Sequence, residues 1–184
     1  LEIVSDSSES TKTRIQTVSK NAYTGLVLVL VILALFLRFK IAIWVAAGIP
    51  IAILGALIAF PPMGLTISSL TVMGFILVLG IVVDDAIVVG ERVHAYEQKG
   101  LSKNAAAIEG TVEVSVPVIF GVLTTIAAFL PLLIDNTQFS SFSKLIGGTV
   151  VFCLIASLIE SQLILPGHIA HRKTKGYFMD GSRL

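Results

Sequence analysis

The sequence predicts an all-helical membrane protein with five transmembrane helices. Of its 184 residues, 55% are hydrophobic, and the mean hydropathy is +0.93, whereas about half of a soluble domain is apolar. The apolar residues fall in blocks of about twenty, which is the length that crosses a bilayer. Basic residues gather in alternate loops between these blocks, as in multi-pass membrane proteins. No large aqueous domain fits between the blocks.

The chain begins with a polar lead-in of mixed charge, residues 1–20. Residues 22–37 are nearly pure Leu, Val, Ile and Ala, which predicts the first span. A short basic turn with Arg38 and Lys40 ends this span. The next apolar block, residues 41–60, predicts the second span.

The second span has features of a helix that packs closely inside a bundle. Trp44 near one end is expected to anchor the helix at the membrane interface. Pro50 lies inside the span, where buried neighbours tolerate it. Small residues recur at helical spacing and would let another helix approach closely: Gly48, Ala52 and Ala56.

Three further spans follow along the chain. The third is predicted at residues 67–93, after a charge-free turn rich in proline. A polar segment at residues 92–110 is expected to include a short amphipathic helix at the interface, and the fourth span follows at residues 114–134. The fifth span, residues 145–165, stops at Pro166. The chain thus divides into a lead-in at 1–20, a five-helix region at 21–166 and a tail at 167–184.

The basic residues beside the spans predict the orientation. They fall on one side of the bundle: Arg38 and Lys40, then Arg92, Lys99 and Lys103, then Arg172, Lys173 and Lys175. By the positive-inside rule these loops are cytoplasmic. The C-terminus is therefore expected in the cytoplasm and the N-terminus on the opposite side. Lys12, Arg14 and Lys20 on the outer side argue against this orientation, but the internal loops agree among themselves.

Two adjacent acids interrupt the third span. From Ile67 to Val89, Asp84 and Asp85 are the only formal charges. A charged Asp near the centre of a spanning helix costs about 2.5 to 3.5 kcal/mol on insertion scales. The pair is therefore expected to face protein or a water-filled path, and at least one acid to hold a proton for part of its working life.

The two acids need not share one site, because neighbouring side chains on a helix point about 100° apart. Asp84 and Glu91 are seven residues apart and lie on nearly the same helix face, with Glu91 nearer the cytoplasm. A proton relay is one interpretation of the acids. The alternative is a structural pair that a basic residue on another helix neutralises.

Other polar residues are expected to have structural roles. Glu160 near the cytoplasmic end of the fifth span is predicted to pair with a loop or to extend to the interface. His168 and His171 are three residues apart but have no Cys or carboxylate beside them. They are expected to be solvated interface histidines, so neither a metal site nor a cofactor is predicted.

The sequence does not predict an enzyme. It has no P-loop and no arrangement typical of Ser/His/Asp or Cys/His catalysis, so any energy input must come from elsewhere. Intramembrane aspartyl proteases also use acids within spans, but they need one Asp on each of two facing helices and a Gly-x-Gly-Asp signature. Here the acids are adjacent on one helix, and Gly80 lies four residues before Asp84.

The segment from Gly80 to Glu91, Gly-Ile-Val-Val-Asp-Asp-Ala-Ile-Val-Val-Gly-Glu, resembles the fourth-helix motif of resistance-nodulation-division (RND) efflux pumps of the acriflavine-resistance type. Further segments resemble successive landmarks of that family: Phe36-Leu37-Arg38 with Ile49-Pro50, Gly64-Leu-Thr-Ile-Ser-Ser-Leu-Thr, Leu123-Thr-Thr with Phe129-Leu-Pro131, and Leu163-Ile-Leu-Pro166. The resemblance covers essentially the whole chain.

The resemblance implies that the five spans are helices two to six of the N-terminal half of such a pump, and that residues 1–20 end a periplasmic pore domain. Asp84 and Asp85 would be the pair that takes up protons from the periplasm and releases them to the cytoplasm. A lysine from the C-terminal half of the pump would lie between them. Glu91 matches the acid of the motif on the cytoplasmic side.

The resemblance also implies partners and a location. The complete pump would be a homotrimer in the bacterial inner membrane, with the N-terminus of this chain periplasmic and the C-terminus cytoplasmic. Proton binding would shift helix packing and drive the three protomers through access, binding and extrusion states. A periplasmic adaptor and an outer-membrane channel would complete the export path, and nucleic acid has no role.

Departures from the family pattern leave the substrate open. The chain lacks the first helix, the pore domain and the C-terminal half, so it is not expected to transport anything alone. Gly90 stands where many relatives have a larger apolar residue, and Glu160 with the Pro-Gly-His ending suggests a distant subgroup. Drugs or other amphiphiles are the expected substrates. The alternatives are heavy-metal ions, an export or sterol-handling relative, and a non-transporting structural module with a charge-compensated acid pair.

Overall fold

The computed structural model of the protein describes residues 39–135 and 138–171, together with isolated positions in the lead-in at 12, 16, 20, 23, 24, 27 and 31. Side chains are described from residue 43 onward in the first of these ranges. The predicted first span, residues 22–37, therefore lies outside the described ranges apart from four isolated positions.

The two described ranges form five α-helices: α1 (Phe39–Ala59), α2 (Ser69–Gln98), α3 (Lys103–Ile134), α4 (Ser140–Ile159) and α5 (Leu165–His171). A 3-10 turn at Pro61–Met63 follows α1, and a π-helical turn at Glu160–Ile164 joins α4 to α5 without a break. The predicted all-α class is confirmed for this part of the chain, where no strand occurs.

Among the described residues, three helices are long and apolar enough to cross a membrane: Ser69–Gln98, Lys103–Ile134 and the continuous helix Ser140–His171. The segment Ile43–Ala59 within α1 is a shorter apolar helix. The count of five spans stays a prediction.

Local sequence signals set the ends of α2 and the start of α3. The Ser68 hydroxyl accepts the Thr71 N–H, and the Thr71 hydroxyl accepts the Ser68 N–H at 2.7 Å. This reciprocal capping box fixes the first turn of α2. Ser102 caps α3 by accepting the N–H of Ala105. Gly100, with φ +89°, makes the tight turn between the two helices.

The predicted short amphipathic helix in the 92–110 segment is not a separate element. Helix α2 continues to Gln98, and α3 runs unbroken from Lys103 through the start of the predicted fourth span. Gly110 lies inside α3 and faces the backbone of α2 at Val93. A side chain at that position would separate the two helices.

Helix α2 lies at the centre of the bundle and packs against α1, α3 and α4. One core cluster includes Val83, Ala86, Val89 and Leu165, all at most 6% exposed. The predicted small-residue stripe on α1 is confirmed, because Gly48, Ala52 and Ala56 are all buried. Gly55 on the same helix lies against Ala156 of α4.

Candidate functional site

The acid pair on α2 divides between two environments. Asp84 lies on the exposed side of the helix, together with Gly80, Val88 and Glu91. These residues form one stripe, because positions four and seven apart share a helix face. Asp85 is turned toward the bundle and is half-buried. The two carboxyl groups therefore meet different surroundings, as the 100° offset predicts.

The Asp85 carboxyl group is incompletely satisfied. Its Oδ2 atom is buried and has no hydrogen-bond partner in the described part of the chain. Its neighbours Val82 and Ala86 are 5% and 3% exposed. A buried ionised carboxylate without a partner is costly, and a carboxyl group that holds a proton avoids this cost. The geometry at Asp85 suits proton binding.

The charge partner that the structural interpretation requires is not among residues 43–135 and 138–171. Within these ranges no basic side chain forms an ion pair with Asp84 or Asp85. A compensating cation would have to reach the pair from the exposed side of α2, where Asp84 lies.

A second charged cluster joins the end of α2 to α3. The Arg92 guanidinium donates through Nε and Nη2 to the Glu113 carboxylate. The ring of Tyr96 lies under two cations, 5.6 Å from Arg92 Cζ and 4.7 Å from Lys99 Nζ. Sequence reasoning missed this ion pair. Arg92 lies six residues before the end of α2 and Glu113 lies ten residues after the start of α3, so the pair depends on how the two helices pack.

Glu160 does not extend to the interface or pair with a loop, so that prediction was wrong. It is 2% exposed and lies in the π-helical turn, where its carboxyl group is directed at α1. A Cβ added at Gly48 would lie 2.5 Å from Glu160 Cδ and 2.7 Å from Oε2. The Oε1 atom has no hydrogen-bond partner among the described residues.

The two histidines of α5 make separate contacts. The His168 ring stacks on Trp44 of α1, with centroids 5.1 Å apart. The His171 Nδ1 atom lies 2.8 Å from the carbonyl oxygen of Gly167. The His171 contact lies within α5, whereas the Trp44 contact ties the end of the last helix to the second predicted span.

Comparison with known proteins gives a consistent result. The AcrB/AcrD/AcrF family matches residues 1–171. Multidrug resistance protein MdtC of Pantoea ananatis (strain AJ13355) is 30% identical over 167 residues, which are 90% of this chain and 16% of that protein. MdtC of Salmonella schwarzengrund (strain CVM19633) is 34% identical over 167 residues, with the same shares.

A solved structure is also similar. The X-ray crystal structure of a heavy metal efflux pump superposes with a TM-score of 0.75 at 29% identity, over 88% of this chain and 16% of that one. The chain thus spans about 16% of the length of these relatives.

Proposed function

Because the chain belongs to the AcrB/AcrD/AcrF family of RND efflux transporters, we propose that it is the proton-binding part of a proton-driven exporter. The observation that carries this proposal is the acid pair of α2. Asp85 is half-buried, and its Oδ2 atom has no hydrogen-bond partner in the part of the chain that the structure describes. Asp84 faces the open side of the same helix. Acids inside a membrane span are costly and typically mark ion or proton pathways.

The mechanism follows from charge. A carboxylate that gains a proton loses its attraction for a nearby cation, so a cation between two acids moves toward the one that stays ionised. We assign this cation to the rest of the exporter, which approaches Asp84 on the exposed face of α2. Proton binding at Asp85 then changes what α2 packs against. Since α2 contacts α1, α3 and α4, its displacement moves the whole bundle.

The proposal places the chain in a larger assembly. It assigns five spans to these residues, with the N-terminus periplasmic and the C-terminus cytoplasmic, in a bacterial inner membrane. The complete exporter is a homotrimer that works with a periplasmic adaptor and an outer-membrane channel. Support comes from the family match and from the basic residues that gather on one side of the spans.

The proposed substrates are drugs or other amphiphiles, because relatives at 30% and 34% identity are multidrug resistance proteins. A second candidate is a heavy-metal ion, which the similarity to the heavy metal efflux pump favours. Transport of amphiphilic dyes and of metal ions by the same vesicles distinguishes the two classes.

The test is substrate-linked proton flux in vesicles that contain the full-length exporter. Asp85→Asn and Asp84→Asn are expected to abolish this flux at unchanged protein abundance and trimer assembly. Glu109→Gln is the control, since Glu109 is an exposed acid on α3. Retained flux in both Asp variants would contradict the relay. Under the structural interpretation, removing one member of a buried pair would lower the free energy of unfolding by about 3 to 5 kcal/mol. The same variants would then reduce the amount of folded protein.

A further inference from the structure

We propose that Glu160 is an additional proton-binding site of the exporter, and that its carboxyl group binds and releases a proton as α1 moves against the π-helical turn. The inference rests on the proposed proton-driven function for its role in transport. The binding of a proton at Glu160 is measurable independently of that function.

The first support is the burial of the side chain. Glu160 is 2% exposed, and its Oε1 atom has no hydrogen-bond partner in the described ranges. No basic side chain within these ranges pairs with it. An unpaired ionised carboxylate is costly in such a place, so the acid is held in its protonated form in this packing.

The second support is the contact with α1. The carboxyl group fills the space that any side chain at residue 48 would need. Only glycine at this position lets α1 approach the carboxyl group so closely. Release of the proton would leave a charge against the bare backbone of α1. Either water or a cation must then enter, and both require the two helices to separate at this contact.

The third support is the backbone around the acid. Glu160 begins a π-helical turn, in which the Leu165 N–H is donated to the Glu160 carbonyl oxygen. Single π-helical turns inside α-helices occur frequently at functional sites. The turn packs against α1, α2, α4 and α5. A change at Glu160 therefore reaches the helix that carries the acid pair.

Glu160 is linked to the acid pair through shared packing. One core cluster joins residues beside Gly48, residues beside the acid pair and the residue that follows the turn: Val45 and Ile49, Val83 and Ala86, and Leu165. The titratable groups in the middle of the helices that pack on the turn are Asp84 and Asp85 on α2, Cys153 on α4 and His168 on α5. Helix α1 has none between Ile43 and Ala59.

The cysteine and the histidine do not change this assignment. Cys153 is buried in the adjoining core cluster, and the His168 ring is stacked on Trp44. Apart from Glu160 itself, the acid pair then supplies the carboxyl groups in the middle of these helices.

The test is infrared spectroscopy of the full-length exporter in lipid, titrated from about pH 5 to about pH 9. A protonated carboxyl group has a C=O band that an ionised one lacks. We expect wild type to show a band that Glu160→Gln loses, that weakens as the pH rises, and that changes when substrate is added. Ser157→Ala is the control, because Ser157 is a fully buried polar residue one turn earlier and has no titratable group.

Two results would overturn the inference. If Glu160→Gln removes no band, the acid is ionised throughout; if the lost band responds to neither pH nor substrate, the acid is a fixed structural group. Should Glu160→Gln fail to assemble, Glu160→Asp gives the same assignment through a displaced band. Retained proton flux in Asp85→Asn alongside a titrating Glu160 band would contradict the acid-pair relay and leave the Glu160 site standing.

Discussion

Gly48 and Glu160 are 112 positions apart in the chain, and the carboxyl group of one occupies the space that a side chain on the other would need. The contact joins α1 to the π-helical turn. It depends on the absence of one atom, the Cβ at residue 48. We therefore expect the contact to be sensitive to the size of the side chain at residue 48.

Gly48→Ala is expected to destabilise the exporter, because the added methyl group overlaps the Glu160 carboxyl group. Overpacking of this kind costs about 1 to 3 kcal/mol. The double variant Gly48→Ala/Glu160→Ala is expected to recover stability, since it removes the group that clashes. The measurement is the thermal midpoint of the purified trimer. Gly121→Ala is the control, because a Cβ at residue 121 meets nothing within 4 Å. If Gly48→Ala and Gly121→Ala lower the thermal midpoint equally, the Glu160 side chain moves aside and the predicted clash does not destabilise the protein.

Gly110→Ala is expected to be more damaging than Gly48→Ala. A Cβ at Gly110 would lie 2.7 Å from Val93 Cα, and backbone atoms cannot rotate away as a carboxyl group can. The expected loss lies at the upper end of about 1 to 3 kcal/mol. The same thermal measurement compares the two variants directly. A Gly110→Ala trimer as stable as Gly121→Ala would mean that α2 and α3 separate easily.

The Arg92–Glu113 ion pair is expected to contribute a small, salt-dependent stabilisation. Both side chains are about two-fifths exposed, 38% and 40%, so solvent and salt screen the pair. A double-mutant cycle with Arg92→Ala and Glu113→Ala should show a coupling that shrinks as salt is added. Glu109→Ala with Arg92→Ala forms the matched cycle and should show less coupling. Coupling that is insensitive to salt would place the pair in a drier environment in the assembled exporter.

Ser157→Ala is expected to leave stability unchanged or raise it slightly. The Ser157 side chain is fully buried, and its Oγ atom has no hydrogen-bond partner in the described residues. An unsatisfied buried polar group costs about 1 to 3 kcal/mol, and alanine removes it while leaving a small void. Ser161→Ala is the comparison, because the Ser161 hydroxyl donates to the Leu158 carbonyl oxygen. A marked loss in Ser157→Ala would indicate a partner from another part of the exporter.

The helical class could be predicted from sequence because the signals are local. Apolar blocks of membrane length set the helices, and the Ser68 and Ser102 caps follow from side chains a few residues away. The different environments of Asp84 and Asp85 follow from the helical rotation per residue. These features need no knowledge of which helices meet.

The remaining features depend on contacts between distant segments. The burial of Glu160 is decided by a glycine on another helix, and the Arg92–Glu113 pair by the exact turn between α2 and α3. The close approach of Gly110 on α3 to Val93 on α2 depends on how the two helices pack. No local pattern carries this information. The predicted interfacial helix and the predicted exposure of Glu160 both failed for this reason.

The π-helical turn at Glu160–Ile164 also divides the last helix into two rotational phases. A π turn holds one extra residue, which rotates everything after it by about 100° relative to an unbroken α-helix. On a continuous α-helix, Ile169 would lie about 90° away from the stripe that buries Val150, Leu154 and Ser157. With the turn in place, Ile169 and these three residues are all at most 1% exposed. A single helical repeat therefore does not predict the buried face on both sides of the turn. A sequence alignment of related chains should tolerate a one-residue gap there more readily than anywhere else in the helix.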